Sequence, residues 1–211
     1  MLIGVESVSF RYPGADRAIL IDASFSVNRG ETAALMGPSG SGKSTLLAIV
    51  GGLLVPSGGK TYPAERAREK LLIGWVFQTA NALGRRSALE NVAIGAFARG
   101  LSWEAAQARA EVVLRSVGLA DQLGQRASRL SGGELQRVVV ARALVSEPDV
   151  VIADEPTGSL DVATSAQVID TLITAKATST TIIIATHDPD VARRCDRIFR
   201  LDGGRLRQAD T

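Results

Sequence analysis

The sequence predicts an α/β fold: a mainly parallel sheet with helices between its strands, an N-terminal antiparallel β-region ahead of it, and an inserted α-helical lobe. Three observations predict it. Short apolar runs at Thr32–Met36, Asp149–Ala153 and Thr181–Ala185 have the character of buried strands, and Ile73–Phe77 also has strand character. Residues 79 to 140 read instead as helical, with helices at Leu89–Leu101 and Ser102–Val117. Between the first apolar run and a following helix lies Gly37-Pro38-Ser39-Gly40-Ser41-Gly42-Lys43-Ser44-Thr45, whose spacing lets a backbone wrap closely around phosphates.

Composition bounds what such a chain can be. With 211 residues, 45% hydrophobic and 22% charged, it can bury a sizeable core as one domain, residues 1–211. Within it, 1–78 and 141–211 form the core and 79–140 the lobe. The net charge of +2 is small and the basic residues are scattered, which argues against a nucleic-acid partner. The single cysteine, Cys195, excludes an internal disulfide and fits a reducing compartment and a buried structural thiol. Met1–Glu6 lacks the basic and apolar regions of a signal peptide, and no apolar stretch of about 18 residues occurs, so the chain is not expected to cross a membrane by itself.

Taken in order, residues 2–10 and 18–27 are β-rich, separated by the turn chemistry of Pro13-Gly14-Ala15-Asp16, and Asn28-Arg29-Gly30 makes a second turn. Tyr12, at the edge of the first strand, is placed either to stack on a purine base or simply to pack. Thr32–Met36 then delivers the glycine-rich loop. Its backbone N–H groups converge on an anion, Lys43 reaches terminal phosphates, and the Ser44 hydroxyl is suited to Mg2+. Ordinary residue frequencies produce such a pattern in roughly 1% of chains of this length, so the loop needs support from the rest of the sequence. A helix follows from Lys43 to about Leu53, ended by Pro56-Ser57-Gly58-Gly59. Residues 60–70 show no usable period and read as a short connection, after which Ile73–Phe77 is a strand ending at Gln78.

Ser102 caps the second lobe helix and Gly118 stops it. Leu130-Ser131-Gly132-Gly133-Glu134-Leu135-Gln136 leads into a helix that ends before Pro148, with Ser131 at its N-terminus either as an ordinary cap or as part of an anion site. The strand Asp149–Ala153 ends in Asp154-Glu155, two carboxylates that can divide labour: Asp154 holds Mg2+ through water while Glu155 polarises an attacking water. Gly158-Ser159-Leu160-Asp161 turns into a helix over Val162–Ala175, capped by Asp161. Thr181–Ala185 ends at Thr186-His187-Asp188, placing the only histidine at a strand C-terminus, where α/β sheets bind ligands. Asp188-Pro189 opens a short helix, and two terminal strands flank Asp202-Gly203-Gly204.

Together and in this order, these motifs resemble the ATP-binding subunits of ABC transporters over essentially the whole chain, a P-loop NTPase core in fold terms. The resemblance implies that Ser131, Gly132, Gly133 and Glu134 belong to the signature motif and that Gln78 is the Q-loop glutamine, serving Mg2+ and catalysis. Asp154 and Glu155 match the Walker B aspartate and catalytic base, Ser159 to Asp161 the D-loop, His187 the switch histidine and Tyr12 the adenine-stacking aromatic. It implies ATP and Mg2+ as cofactors, with Lys43, Gln78, Glu155 and His187 in catalytic roles. The expected assembly is a homodimer with ATP between the glycine-rich loop of one subunit and the signature motif of the other. A separate transmembrane permease would hold it as a peripheral protein on the cytoplasmic face. An ATP-switched scaffold without transport, as in cell-division or iron–sulfur-assembly relatives, is the alternative. Glu155–Asp161 with Thr186–Asp188 looks most like the macrolide-exporter, lipoprotein-releasing and cell-division branch. Two stretches depart from it: the short interval between Gly59 and Ile73, and Leu83-Gly84-Arg85-Arg86-Ser87 in place of a proline-containing connection.

Overall fold

The structure is a computed structural model and describes residues 1–63, 71–158, 160–174 and 179–209. Two sheets carry the architecture. Strands β1 (Ile3–Phe10), β2 (Leu20–Val27) and β4 (Gly58–Tyr62) form an antiparallel sheet in the order β2-β1-β4. The larger sheet contains β3 (Thr32–Met36), β5 (Ile73–Val76), β6 (Val150–Asp154), β7 (Thr181–Thr186), β8 (Arg197–Asp202) and β9 (Arg205–Ala209), in the order β5-β6-β7-β3-β8-β9. All its pairings are parallel except the β8–β9 hairpin. Because β6, β7 and β3 are neighbours, the loops that leave their C-terminal ends lie side by side, the arrangement that gathers a ligand site on this kind of sheet.

Helix α1 (Lys43–Val50) buries Leu46, Leu47, Ile49 and Val50 in a core that also takes Ile3 and Leu20 from the small sheet and Ile152 and Ile183 from the large one. The opposite face of the large sheet is covered by α4 (Gly132–Leu144), α5 (Val162–Thr174) and α6 (Pro189–Ala192), with Cys195 buried among them. Each of these fully buried aliphatic side chains contributes about 1.5–3 kcal/mol. Helices α2 (Ala88–Phe97) and α3 (Trp103–Ser116) build a third cluster with Val138, Ala141 and Val145 at α4, so α4 is shared between lobe and sheet.

Two expectations are corrected. Helix α1 stops at Val50 rather than near Leu53, because Gly52, after the Gly51 C-cap, takes the left-handed conformation at φ 79° and Leu53 N turns back to Ala48 O. Residues 60–62 are not a connection but the end of β4, whose Thr61 and Lys60 pair with Val5 and Glu6 of β1. Residues 64–70, Ser159 and Ala175, included in the sequence expectations, lie outside the described residues.

The departure at Leu83–Ser87 takes the form of a turn held from beneath by Asn91, which is 0% exposed. The Asn91 side-chain oxygen accepts from Leu83 N at 2.7 Å, and its amide donates to the Leu83 and Ser87 carbonyls at 3.1 and 2.9 Å. The same turn is stitched to the approach to α4: Ala127 N donates to Arg86 O and Ser128 N to Gly84 O. Replacing Asn91 with Ala would leave Leu83 N without the acceptor it has here and remove the support beneath the turn, at about 1–3 kcal/mol. A Tm lowered by several degrees in a thermal melt is the expected result, and an unchanged Tm would show that the turn holds without it.

Candidate functional site

The loop Gly37–Gly42 leaves β3 and enters α1 with a helix N-terminus of an unusual kind. Gly42 occupies the N-cap in the left-handed region at φ 103°, no side chain accepts from the first-turn amides, and no acidic residue lies in that turn. A Cβ on Gly42 would meet Ile19 Cγ2 at 2.9 Å, so both the backbone conformation and the space require glycine. Helices α2 and α4, by contrast, begin with complete capping boxes, Ser87 with Glu90 and Ser131 with Glu134. The first-turn donors of α1 are therefore left for an anion from outside the helix.

A cavity of about 550 Å³ opens at this N-terminus, lined by Ser39, Gly40, Lys43, Ser44, Thr45 and Gln78, with Glu155 and His187 on its wall. Lys43 Nζ donates to Gly37 O at 2.8 Å and Pro38 O at 3.2 Å and lies 3.3 Å from Glu155 Oε1. An ammonium has three donors, and these contacts engage all of them. The other Glu155 oxygen, Oε2, is 2.8 Å from His187 Nδ1. A carboxylate only accepts, so Nδ1 is the donor, and in the neutral ring Nε2 is left as an acceptor. Glu155 also sits at φ 46°, a left-handed conformation uncommon for a side chain of this kind, as its chain turns out of β6.

Asp154 ends β6 beside it, and its Oδ1 is buried without a hydrogen-bond partner among the described residues, as is Ser41 Oγ. An orphaned buried carboxylate oxygen on the residue before Glu155 of the cavity wall, together with the Ser44 hydroxyl and Gln78 of its lining, makes up oxygen donors of the kind Mg2+ takes, usually with waters retained. The residues present fit that ion.

Tyr12 is 42% exposed; it packs edge-on against Phe10, and its hydroxyl shares a 3.1 Å hydrogen bond with Thr45 Oγ1. That bond fixes the ring beside the start of α1 while leaving part of it open.

Residues 131–134 do not line this cavity. Ser131 is the N-cap of α4, its Oγ accepting from Glu134 N at 3.3 Å, while Glu134 Oε2 accepts from Ser131 N at 2.8 Å. Hydrogen bonds from the Ser131 backbone and hydroxyl hold the Glu134 carboxyl below its ordinary pKa. Gly133 is buried against α5, where a Cβ would come 2.1 Å from Thr164 Cγ2. Asp161 accepts from Thr164 N at 3.0 Å and from its hydroxyl at 2.7 Å, and the backbone bond above all lowers its pKa. The exposed serine and the turn before α5 are thus joined through Gly132, Leu160 and Thr164 into one edge. The structure brings Lys43, Ser44, Gln78, Glu155 and His187 together and holds Ser131–Glu134 and Asp161 apart from them.

Arg142 and Asn81 escaped the sequence reading. The Arg142 guanidinium binds Asn81, just beyond Gln78, and no local pattern pairs residues so far apart in the chain.

The chain and its fold are similar to those of known proteins. A family model described as ABC transporter matches residues 20–158. The lipoprotein-releasing system ATP-binding protein LolD of Shewanella oneidensis is 41% identical, the match covering 98% of this chain and 96% of that protein. The macrolide export ATP-binding/permease protein MacB 1/2 of Paracoccus denitrificans is 39% identical over 97% of this chain, which spans only 33% of that relative's length. Among solved structures, the dimeric post-hydrolysis state of the ATP-binding cassette MJ0796 bound to ADP and Pi superimposes with a TM-score of 0.87 at 32% identity, covering 99% of this chain and 98% of the other. Such cassettes have the P-loop NTPase fold seen here, with its parallel sheet, antiparallel N-terminal sheet and helical lobe. By this family model and these relatives, the chain belongs to the ABC transporter family as an ATP-binding cassette.

Proposed function

We propose that the chain binds and hydrolyses ATP as one half of a homodimer and so drives a separate membrane permease. The observation that carries this reading is the α1 N-terminus, whose uncapped amides face a cavity containing Lys43, Glu155 and His187. In this reading the chain is one nucleotide-binding domain, with 1–78 and 141–211 as core and 79–140 as lobe. Phosphates lie on Gly37–Thr45, and Tyr12 stacks on the base. Ser131, Gly132, Gly133 and Glu134, with Asp161, serve the site of the other subunit. Their separation from the cavity supports this, as does the dimeric form of the MJ0796 cassette.

Phosphate arrival competes with Glu155 for the third donor of Lys43. That contest releases Glu155 to orient or deprotonate water, while Lys43 meets the charge on the transferred phosphoryl group. His187 contacts the γ-phosphate as a donor only if it becomes imidazolium or gives up its bond to Glu155. Mg2+, held by Ser44, Gln78 and Asp154, would supply charge neutralisation on the phosphates.

Among the described residues, no helix is long and apolar enough to cross a membrane. The similarity to LolD, an ATP-binding protein of a lipoprotein-releasing system, supports a permease partner and a peripheral place on the cytoplasmic face. Hydrolysis should depend on dimerisation. Specific ATPase activity measured across a protein dilution series is expected to fall as dimers dissociate, and a constant specific activity in demonstrably monomeric samples would overturn the composite site.

A further inference from the structure

Helix α4 joins two parts of the chain that the cavity keeps apart. Ser131 caps one end. At the other, Arg142 donates through Nη1 to the Asn81 carbonyl at 3.2 Å and through Nη2 to the Asn81 side-chain oxygen. Asn81 follows Gln78, a residue of the cavity wall, with only Thr79 and Ala80 between them. The Arg142 guanidinium is partly buried, and that burial lowers its pKa.

The surroundings make the connection stiff. Gly95 of α2 lies against the Arg142 carbonyl, where a Cβ would come within 2.6 Å, and Gly74 of β5 lies against the Ala143 carbonyl, where it would come within 2.7 Å. These close backbone approaches seat the C-terminal end of α4 on the strand that leads to Gln78. The 13 residues of α4 then span about 20 Å as a rigid rod to Ser131.

We propose that Arg142 is a positioning residue: its two-pronged hold on Asn81 ties the segment leaving Gln78 to the helix that begins at Ser131, so the two shift as a unit when ATP sites close. The inference rests on the dimeric ATP-site reading above and adds a residue to it. A planar guanidinium suits this task because two parallel hydrogen bonds fix direction as well as distance. Without that fork, Gln78 would be free to keep its apo position while α4 moves, and the cost would fall on closure and turnover rather than on nucleotide capture by Gly37–Thr45.

The test uses Asn81→Ala, Arg142→Ala and the double variant of the full chain. Asn81 is exposed, so its truncation leaves the core untouched and decides the matter even if Arg142→Ala folds poorly. Asn81→Ala, which removes the side-chain prong and keeps the carbonyl one, is expected to lower kcat for Mg-ATP about ten-fold, the loss of roughly one charge-assisted hydrogen bond, and Arg142→Ala, which removes both, at least as much, while the ATP Kd stays within about two-fold in each. The double variant should be no slower than Arg142→Ala, the non-additivity of residues acting through one contact. Wild-type kcat in Asn81→Ala, or a lowered Tm with kcat per folded molecule unchanged, would overturn the positioning role. A wild-type protein that neither binds nor hydrolyses ATP would remove the underlying reading as well, which separates the two failures.

Discussion

Glu155→Gln is expected to lower ATP turnover by about 100-fold to 10,000-fold while leaving ATP binding intact, the range for removing a positioned general base. The substitution is nearly isosteric, so the turn at φ 46° and the packing of a side chain only 14% exposed are preserved. What disappears is the charge and the capacity to take a proton from water. In the free subunit that charge is shared between Lys43 and His187. With ATP bound, a carboxylate so close to Lys43 is also close to phosphate, and replacing it with an amide removes a repulsion from the closed state. ATP should therefore capture the variant as a dimer that persists, because closure no longer ends in hydrolysis. Phosphate release and size-exclusion chromatography with ATP measure the two halves of the expectation. Phosphate release at the wild-type rate would show that another group activates the water.

The parts of this site legible in the sequence are those whose chemistry is local. Strands β3, β6 and β7 announce themselves as unbroken apolar runs because both faces of the central sheet are covered, and each run ends at the residue that matters: Gly37, Asp154-Glu155 or His187. Ser131 is legible as a cap for a similar reason, since serine three residues before glutamate satisfies two helix donors at once. Both readings of that serine remain compatible: the capping box exists in the single subunit, and a phosphate from outside would have to share its hydroxyl.

Strand β4 was illegible because Gly58-Gly59-Lys60-Thr61-Tyr62 has neither alternation nor apolar content. Its pairing is supplied by β1, and Gly59, at φ 88°, passes so close to Ser7 O that a Cβ would lie 2.4 Å away. Tertiary contact, not propensity, makes it a strand. The Asn91 staple and the Arg142–Asn81 contact were hidden for the related reason that they satisfy backbone groups. An asparagine inside a helical pattern looks unfavourable until the turn it holds is known.

Lys43→Ala is expected to weaken ATP binding at least about 100-fold. A charge-assisted hydrogen bond contributes about 1.5–3 kcal/mol and each 1.4 kcal/mol is about ten-fold in Kd, so the direct contact with phosphate accounts for one to two powers of ten. The remainder comes from what lysine leaves behind. Its Nζ braces the loop through the Gly37 and Pro38 carbonyls, and without it those acceptors and Glu155 face the cavity with no cation among them. The phosphate would then enter beside an unneutralised carboxylate. This second contribution can be separated from the first: in Lys43→Ala/Glu155→Gln the repulsion is gone but the lost contact is not, so part of the affinity should return, about ten-fold if the two contributions are comparable. Equilibrium titration with ATP, without hydrolysis as a complication in the double variant, reads both numbers. Unchanged affinity in Lys43→Ala would contradict the phosphate loop itself. Failure of the second substitution to restore any affinity would show that Glu155 turns away from the phosphate once its lysine is removed.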